Sequence, residues 1–228
     1  MQLQVCADAG AVADRAAEWL AFDSRRAIVE RGRWVLGMSG GRTPGATFRA
    51  LAARCDVWWA RTVFVQVDER VAPASGPDRN LTDQLEALAP ALARGARLVP
   101  LAAAEELTDA DRLARSSAAL ERAAGRPPVL DVAQLGLGVD GHMASLVPGD
   151  AVLDVDDRDV ALTGPYEGRR RLTLTYRTLR RARRRLWIVT GDSKRGSVAR
   201  LLAADPAIPA GRVNPRSTMV LVDRAASP

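Results

Sequence analysis

Short apolar runs that stop at glycine or charge alternate along this chain with stretches of helical periodicity. Trp34-Val35-Leu36-Gly37-Met38 stops at Ser39-Gly40-Gly41. Thr62-Val63-Phe64-Val65-Gln66-Val67 stops at Asp68-Glu69-Arg70. The run 129–137 enters Asp140-Gly141-His142, and 186–190 enters Gly191-Asp192-Ser193-Lys194. Runs of five to nine mostly apolar residues fit strands buried on both faces, and helices between them fit right-handed crossovers. The expected fold class is α/β: a single doubly wound, Rossmann-like, mostly parallel sheet with helices on both faces. No linker or internal repeat divides the chain, so residues 1–228 are expected to form one domain.

Helices are expected over 9–31, 43–54, 81–94, 109–124, 177–184 and 192–204. Asn80 is placed to cap the third, and Thr108 with Asp111 to form a capping box on the fourth. Further strands are expected near 97–100, 158–163, 172–175 and 219–222. Residues 71–79 read as a loop containing proline and glycine. In such sheets ligands bind beyond the carboxyl ends of the strands. The four polar clusters 39–43, 68–70, 140–142 and 191–194 all fall at such ends, which points to a single site.

The chain has one histidine, His142, and one lysine, Lys194, although lysine and arginine together number 33. Imidazole is the side chain whose ordinary pKa lies nearest neutrality. An ammonium is a compact point charge where a guanidinium is a flat fork. Both singletons sit in glycine-containing turns. A lone histidine excludes a multi-histidine metal site, and no nucleophile elbow is present. A site of the histidine with acids and a cysteine stays open, though neither cysteine lies near in sequence. The favoured reading is an imidazole acting on water or on a substrate proton, against the alternative of a histidine merely satisfied in a turn. Asp140 is placed to orient the ring or to touch substrate.

The turn Ser39-Gly40-Gly41-Arg42-Thr43-Pro44 offers backbone N–H groups, two hydroxyls and a helix start to an anion, and lacks the spacing of a Walker or dinucleotide motif. It also serves as a plain strand–helix connection. Arg70 is a candidate anion clamp and Asp68 a candidate contact for sugar hydroxyls, against the alternative of a surface charge cluster. Lys194 suits a phosphate or a carbonyl; its polar neighbours argue against a Schiff base.

The net charge of +6 and the arginines at 169–171 and 180–185 raise nucleic acid as a partner. Few stacking aromatics accompany them, so a solvated basic face that helps guide a small anion is expected instead. No apolar run is long enough to span a bilayer and no secretory signal opens the chain. Two cysteines form no disulfide framework. A cytoplasmic protein with no membrane partner is expected, a monomer by default.

In order and separation, SGGRTP (39–44), VDERV (67–71), DRNL (78–81), LGLGVDGHMASLVPG (135–149), RLTLT (171–175), TGDSK (190–194) and PAGRV (209–213) resemble the 6-phosphogluconolactonase family. That family lies within the wider glucosamine-6-phosphate isomerase/deaminase group. The resemblance implies cofactor-free hydrolysis of a phosphorylated sugar lactone, 6-phospho-D-glucono-1,5-lactone, to 6-phosphogluconate. It implies His142 as the catalytic base with Asp140 beside it. Ser39, Gly40, Gly41, Thr43, Arg70 and Lys194 would bind phosphate and sugar, with Arg171 extending the anion pocket. Two residues depart from the family pattern. Val147 stands where lactonases commonly have Phe and deaminases Glu, which counts against deamination. Met143 replaces a common Thr. Rival readings are an isomerase or deaminase using Asp68, a sugar-phosphate-binding regulatory domain, and a polyanion binder.

Overall fold

A computed structural model describes residues 1–73, 76 and 78–228; the expected loop over 71–79 therefore lies partly outside the described residues, at 74, 75 and 77. In chain order the elements are β1 (Gln2–Cys6), α1 (Ala9–Arg31), β2 (Trp34–Met38), α2 (Arg42–Ala52), β3 (Thr62–Gln66), β4 (Asp68–Arg70), α3 (Asn80–Ala93), β5 (Arg97–Val99) and α4 (Asp109–Ala124). They continue with β6 (Val132–Leu135), β7 (Val160–Leu162), β8 (Arg171–Leu174), α5 (Tyr176–Arg181), β9 (Arg184–Val189), α6 (Arg195–Leu202) and β10 (Thr218–Asp223).

Seven strands form an all-parallel sheet in the order β1-β10-β9-β6-β2-β3-β5. The doubly wound α/β fold is thus the observed one. From β2 the chain moves outward through β3 to β5, then returns to the other side of β2 and builds β6, β9 and β10. The switch point lies between β2 and β6, and connections leaving in opposite directions open a crevice there. The two-residue period sorts the strand side chains: Trp34, Leu36 and Phe64 pack with Leu20, Phe48, Leu51 and Leu88 on one face. Val35, Val63, Val65 and Trp187 pack with Leu120, Leu130, Val198 and Leu201 on the other.

Two features go beyond the sequence reading. The chain opens with a strand rather than with α1. Its Leu3 and Val5 are 41% and 47% exposed, because β1 is an edge strand with one neighbour and needs no continuous apolar run. A second, antiparallel sheet of order β4-β8-β7 adds to the large one, with Asp68 opposite Thr173 and Arg70 opposite Arg171. Asp68-Glu69-Arg70 is therefore a strand and not only a turn.

Local signals explain most boundaries. The Asp8 carboxylate accepts from Ala11 N at 2.9 Å and starts α1, and Gly32, at φ +75°, ends it. Thr108 caps α4 as expected, accepting from Asp111 N at 3.1 Å and donating to Asp111 Oδ2 at 2.7 Å. Asn80 does not cap α3; it is the first helical residue, and Arg79 holds the cap position without a side-chain bond. The fully buried Glu69 does the capping, accepting from Asn80 N and Leu81 N at 2.8 Å each. A carboxylate on β4 thereby replaces the local cap. The expected helix over 192–204 begins as a 3-10 turn at Asp192–Lys194 before α6.

Candidate active site

β6 delivers the chain to a tight turn in which Gly138 N donates to His142 O at 2.8 Å and Gly141 N donates to Gly138 O at 3.1 Å. Gly141 has φ +83°, and a Cβ there would lie 2.5 Å from Ile208 Cβ, so only glycine fits. The turn brings Asp140 Oδ1 within 2.7 Å of His142 Nδ1 and 3.1 Å of the His142 N–H. Burial alone would raise the Asp140 carboxyl, but the His142 N–H bond and the adjacent imidazole hold it below the ordinary aspartate range. An ionised carboxylate only accepts, so Nδ1 is the donor of that bond, and in the neutral form of the ring the lone pair lies on Nε2. A Cβ on Gly138 would fall 2.1 Å from His142 Nδ1; the dyad occupies the space a side chain would fill. The Tyr166 ring meets the imidazole edge to face, at 5.5 Å between centroids.

The dyad borders a cleft of about 300 Å³ at the switch point. Of the expected site residues, Ser39, Gly40, Gly41, Asp68, Arg70, His142, Arg171 and Lys194 line it. Asp140 stands behind the imidazole. Thr43 does not line this cleft. Its hydroxyl lies 2.8 Å from the Thr190 hydroxyl, on an adjoining cleft that shares Gly40, Gly41 and Lys194 with the first.

Each element contributes through a specific bond. Ser39 donates from Oγ to Gln134 O at 3.1 Å and from N to Gln134 Oε1 at 3.0 Å. Its hydroxyl hydrogen therefore ties β2 to β6, where a donor to a ligand was expected. Gly40 lets Asn80 approach, since a Cβ would lie 2.2 Å from Asn80 Oδ1. Asp68 accepts from Ser145 Oγ at 2.7 Å, and burial pushes its carboxyl up, against the pull of Ser145 and Arg171. Arg70 donates to Asp78 O at 2.8 Å and to Asn80 Oδ1 at 3.3 Å. The Arg171 guanidinium stands 5.0 Å from the Tyr166 ring centroid and 2.9 Å from Glu167 Oε2, and its Nε is buried without a partner. Burial lowers the Lys194 ammonium from the ordinary lysine value, with Asp140 opposing; among the described residues no carboxylate pairs with it.

Asn80, Tyr166 and Glu167 also line the cleft, and Ser145 holds Asp68; none of the four was expected from sequence to belong to the site. Ser145 lies in the tail of the Asp-Gly-His segment, and Tyr166 is one of two tyrosines. The arginines at 180–185 do not reach the cleft. Arg181 pairs with Asp159, Arg184 with Asp23, and Arg185 is buried on the carbonyls of Ala182 and Arg216, at or near the amino-terminal end of the sheet. Of the arginines expected to form a basic face, Arg171 lines the cleft, whereas the 180–185 run lies away from it. No group of three or more His, Cys, Asp or Glu is placed to hold a metal, and no helix is long and apolar enough to cross a membrane, among the described residues.

The glucosamine-6-phosphate isomerase/6-phosphogluconolactonase family model matches residues 7–222. A 6-phosphogluconolactonase of Synechocystis is 34% identical over 213 residues, covering 88% of this chain and 86% of its own. One of Mycobacterium tuberculosis is 33% identical over 214 residues, covering 88% and 87%. The solved structure of a 6-phosphogluconolactonase from Shewanella baltica superposes with a TM-score of 0.84 at 24% identity, over 98% of this chain and 97% of that one, which shows the shared fold. With a match of that extent, the chain belongs to the glucosamine-6-phosphate isomerase/6-phosphogluconolactonase family.

Proposed function

We propose that this chain hydrolyses 6-phospho-D-glucono-1,5-lactone to 6-phosphogluconate, with His142 as the base. The observation that carries the reading is the Asp140–His142 dyad, 2.7 Å apart, facing a cleft whose other walls hold Arg70, Arg171 and Lys194. A lactone carrying a phosphate needs both halves: a base beside C1 and cations for the remote anion.

His142 Nε2 takes a proton from water as the water oxygen attacks C1. The carbonyl becomes an oxyanion, for which the N–H groups of Gly40 and Gly41, on the facing wall, are candidate donors. Collapse of the tetrahedral intermediate breaks the bond from C1 to the ring oxygen. The imidazolium returns its proton to that leaving oxygen, giving the open-chain acid. Asp140 holds the ring in the required tautomer and steadies the transient cation. Phosphate binding by Lys194 and Arg70 fixes C1 near Nε2, so remote binding energy serves orientation. Arg171 lines the same cleft and extends its cationic wall.

Asp68 favours a second reading, since a buried carboxyl with raised pKa suits proton shuttling at C2 of an aminosugar phosphate. Val147 opposes it, because an apolar side chain stands where the deaminase pattern has a carboxylate. One assay separates the two. With the phosphorylated lactone generated in situ, acid release above the spontaneous rate is expected, and ammonia release from glucosamine 6-phosphate is not. No acceleration of lactone opening would defeat the proposal. On this reading the chain works as a single domain, without a cofactor, in the cytoplasm.

A further inference from the structure

A cavity walled by five arginines lies at the other end of the sheet. A cavity of about 670 Å³ opens at the amino-terminal ends of β9 and β10, walled by Arg26 and Arg31 of α1, Arg183, Arg184 and Arg216, with Glu30 the one acid on its lining. β9 runs from Arg184 at this cavity to Val189 near the catalytic rim. Five rises of about 3.3 Å make that separation roughly 16 Å, so the two sites do not share a ligand.

Two carboxylates behind the wall hold its cations in place. Asp23, with its side chain 1% exposed, accepts from Arg26 Nη2 at 3.1 Å and from Arg184 Nη1 at 2.8 Å. Arg184 is further fixed over the Trp19 ring, 4.1 Å from its centroid. Asp131, 7% exposed, pairs with Arg31 Nε at 2.9 Å and with Arg183 Nε at 3.5 Å. Four of the five guanidiniums are thus held in place before any ligand arrives, which reduces the entropy lost on binding. They are not neutralised. Asp23, Asp131 and Glu30 face five arginines, and Arg216 has no acidic partner among the described residues. Arg31 also pairs through Nη1 with Glu30, and its Nη2 is buried with no hydrogen-bond partner among the described residues.

We propose that this cavity is a second anion site, for a small molecule carrying two or more linked phosphates. Guanidinium forks match phosphate oxygens in pairs. An excess of two cations asks for a multiply charged guest, and a single orthophosphate would leave most of the volume empty. The site is independent of the reaction assigned to the catalytic cleft, and its test does not need that reaction.

Isothermal titration of tripolyphosphate into the whole chain at physiological ionic strength should show a saturable site that is distinct from any phosphate binding at the catalytic cleft and persists in Lys194→Ala, with inorganic orthophosphate weaker at that site by about tenfold or more. Arg183→Ser combined with Arg216→Ser removes the two cations least engaged with buried acids, and should weaken tripolyphosphate by about tenfold or more. Glu30→Gln removes the lining acid and should tighten it. Lys194→Ala, on the catalytic rim, should leave it unchanged. Equal affinity for orthophosphate, full affinity in the arginine variant, no tightening in Glu30→Gln, or loss in Lys194→Ala would each overturn the second site.

Discussion

Glu167 Oε2 lies 2.9 Å from Arg171 Nη2, so an acid of the chain occupies a cation that faces the catalytic cleft. The Glu167 side chain is 68% exposed and its backbone sits at φ +51°, a conformation that ordinary residues adopt at a cost, whereas the Arg171 side chain is 8% exposed. The anchored partner is the arginine and the movable one is the glutamate. An anionic substrate competes with Glu167 for the same guanidinium.

Glu167→Gln should therefore lower KM for the phosphorylated lactone while leaving kcat near wild type. A half-exposed ion pair is worth up to about 1 kcal/mol, which sets the expected gain at roughly two- to fivefold. Steady-state kinetics checks it. A higher KM would show instead that Glu167 holds Arg171 in position for substrate.

His142→Ala should reduce kcat by about 10²–10⁴-fold, the usual contribution of a positioned general base, with little change in KM because the anion contacts remain. Asp140→Asn should also lower kcat, since an amide can donate to Nδ1 and favour the tautomer that protonates Nε2. Near-wild-type turnover in either variant would remove the dyad from the mechanism.

Gly138→Ala makes the same point without touching a functional group. Its Cβ would lie 2.1 Å from His142 Nδ1 and 2.4 Å from Asp140 Oδ1, so the two side chains must move apart. Both are partly exposed, at 25% and 39%, and have room to move. The expected outcome is a loss of kcat approaching that of His142→Ala, with a melting temperature within a few degrees of wild type. Retained kcat would mean that catalysis tolerates a displaced ring.

What sequence made legible was local. Trp34–Met38, Thr62–Gln66 and the run ending at Val189 are apolar because both faces of a central parallel strand are covered, so composition alone marks them. Asp140 and His142 are two residues apart in a glycine turn, and their contact follows from that spacing. The rest depends on distant pairing. β4 has three residues, too short for any periodicity, and becomes a strand only through β8. Glu69 caps a helix that starts eleven residues later, a relationship that no local capping rule contains. Tyr166 and Glu167 reach the site because β8 carries their turn back beside β4. The Ser39 hydroxyl looked available until Gln134, on a strand almost a hundred residues away, was placed beside it.

If Lys194 holds the phosphate, as proposed, ligand binding should depend on its protonation. Burial lowers its pKa in the free protein, with Asp140 opposing, so it loses its proton at a lower pH than an exposed lysine. A bound phosphate dianion favours the charged form and raises that pKa again. Between the two values, binding draws a proton from solution, and affinity declines as pH rises through the lowered value. Calorimetric titration of 6-phosphogluconate at alkaline pH, in buffers of different ionisation enthalpy, should show net proton uptake in the wild type and none in Lys194→Ala. The same substitution should weaken phosphorylated lactone far more than its unphosphorylated counterpart. Equal losses on both, or unchanged proton uptake without the ammonium, would place the phosphate elsewhere in the cleft.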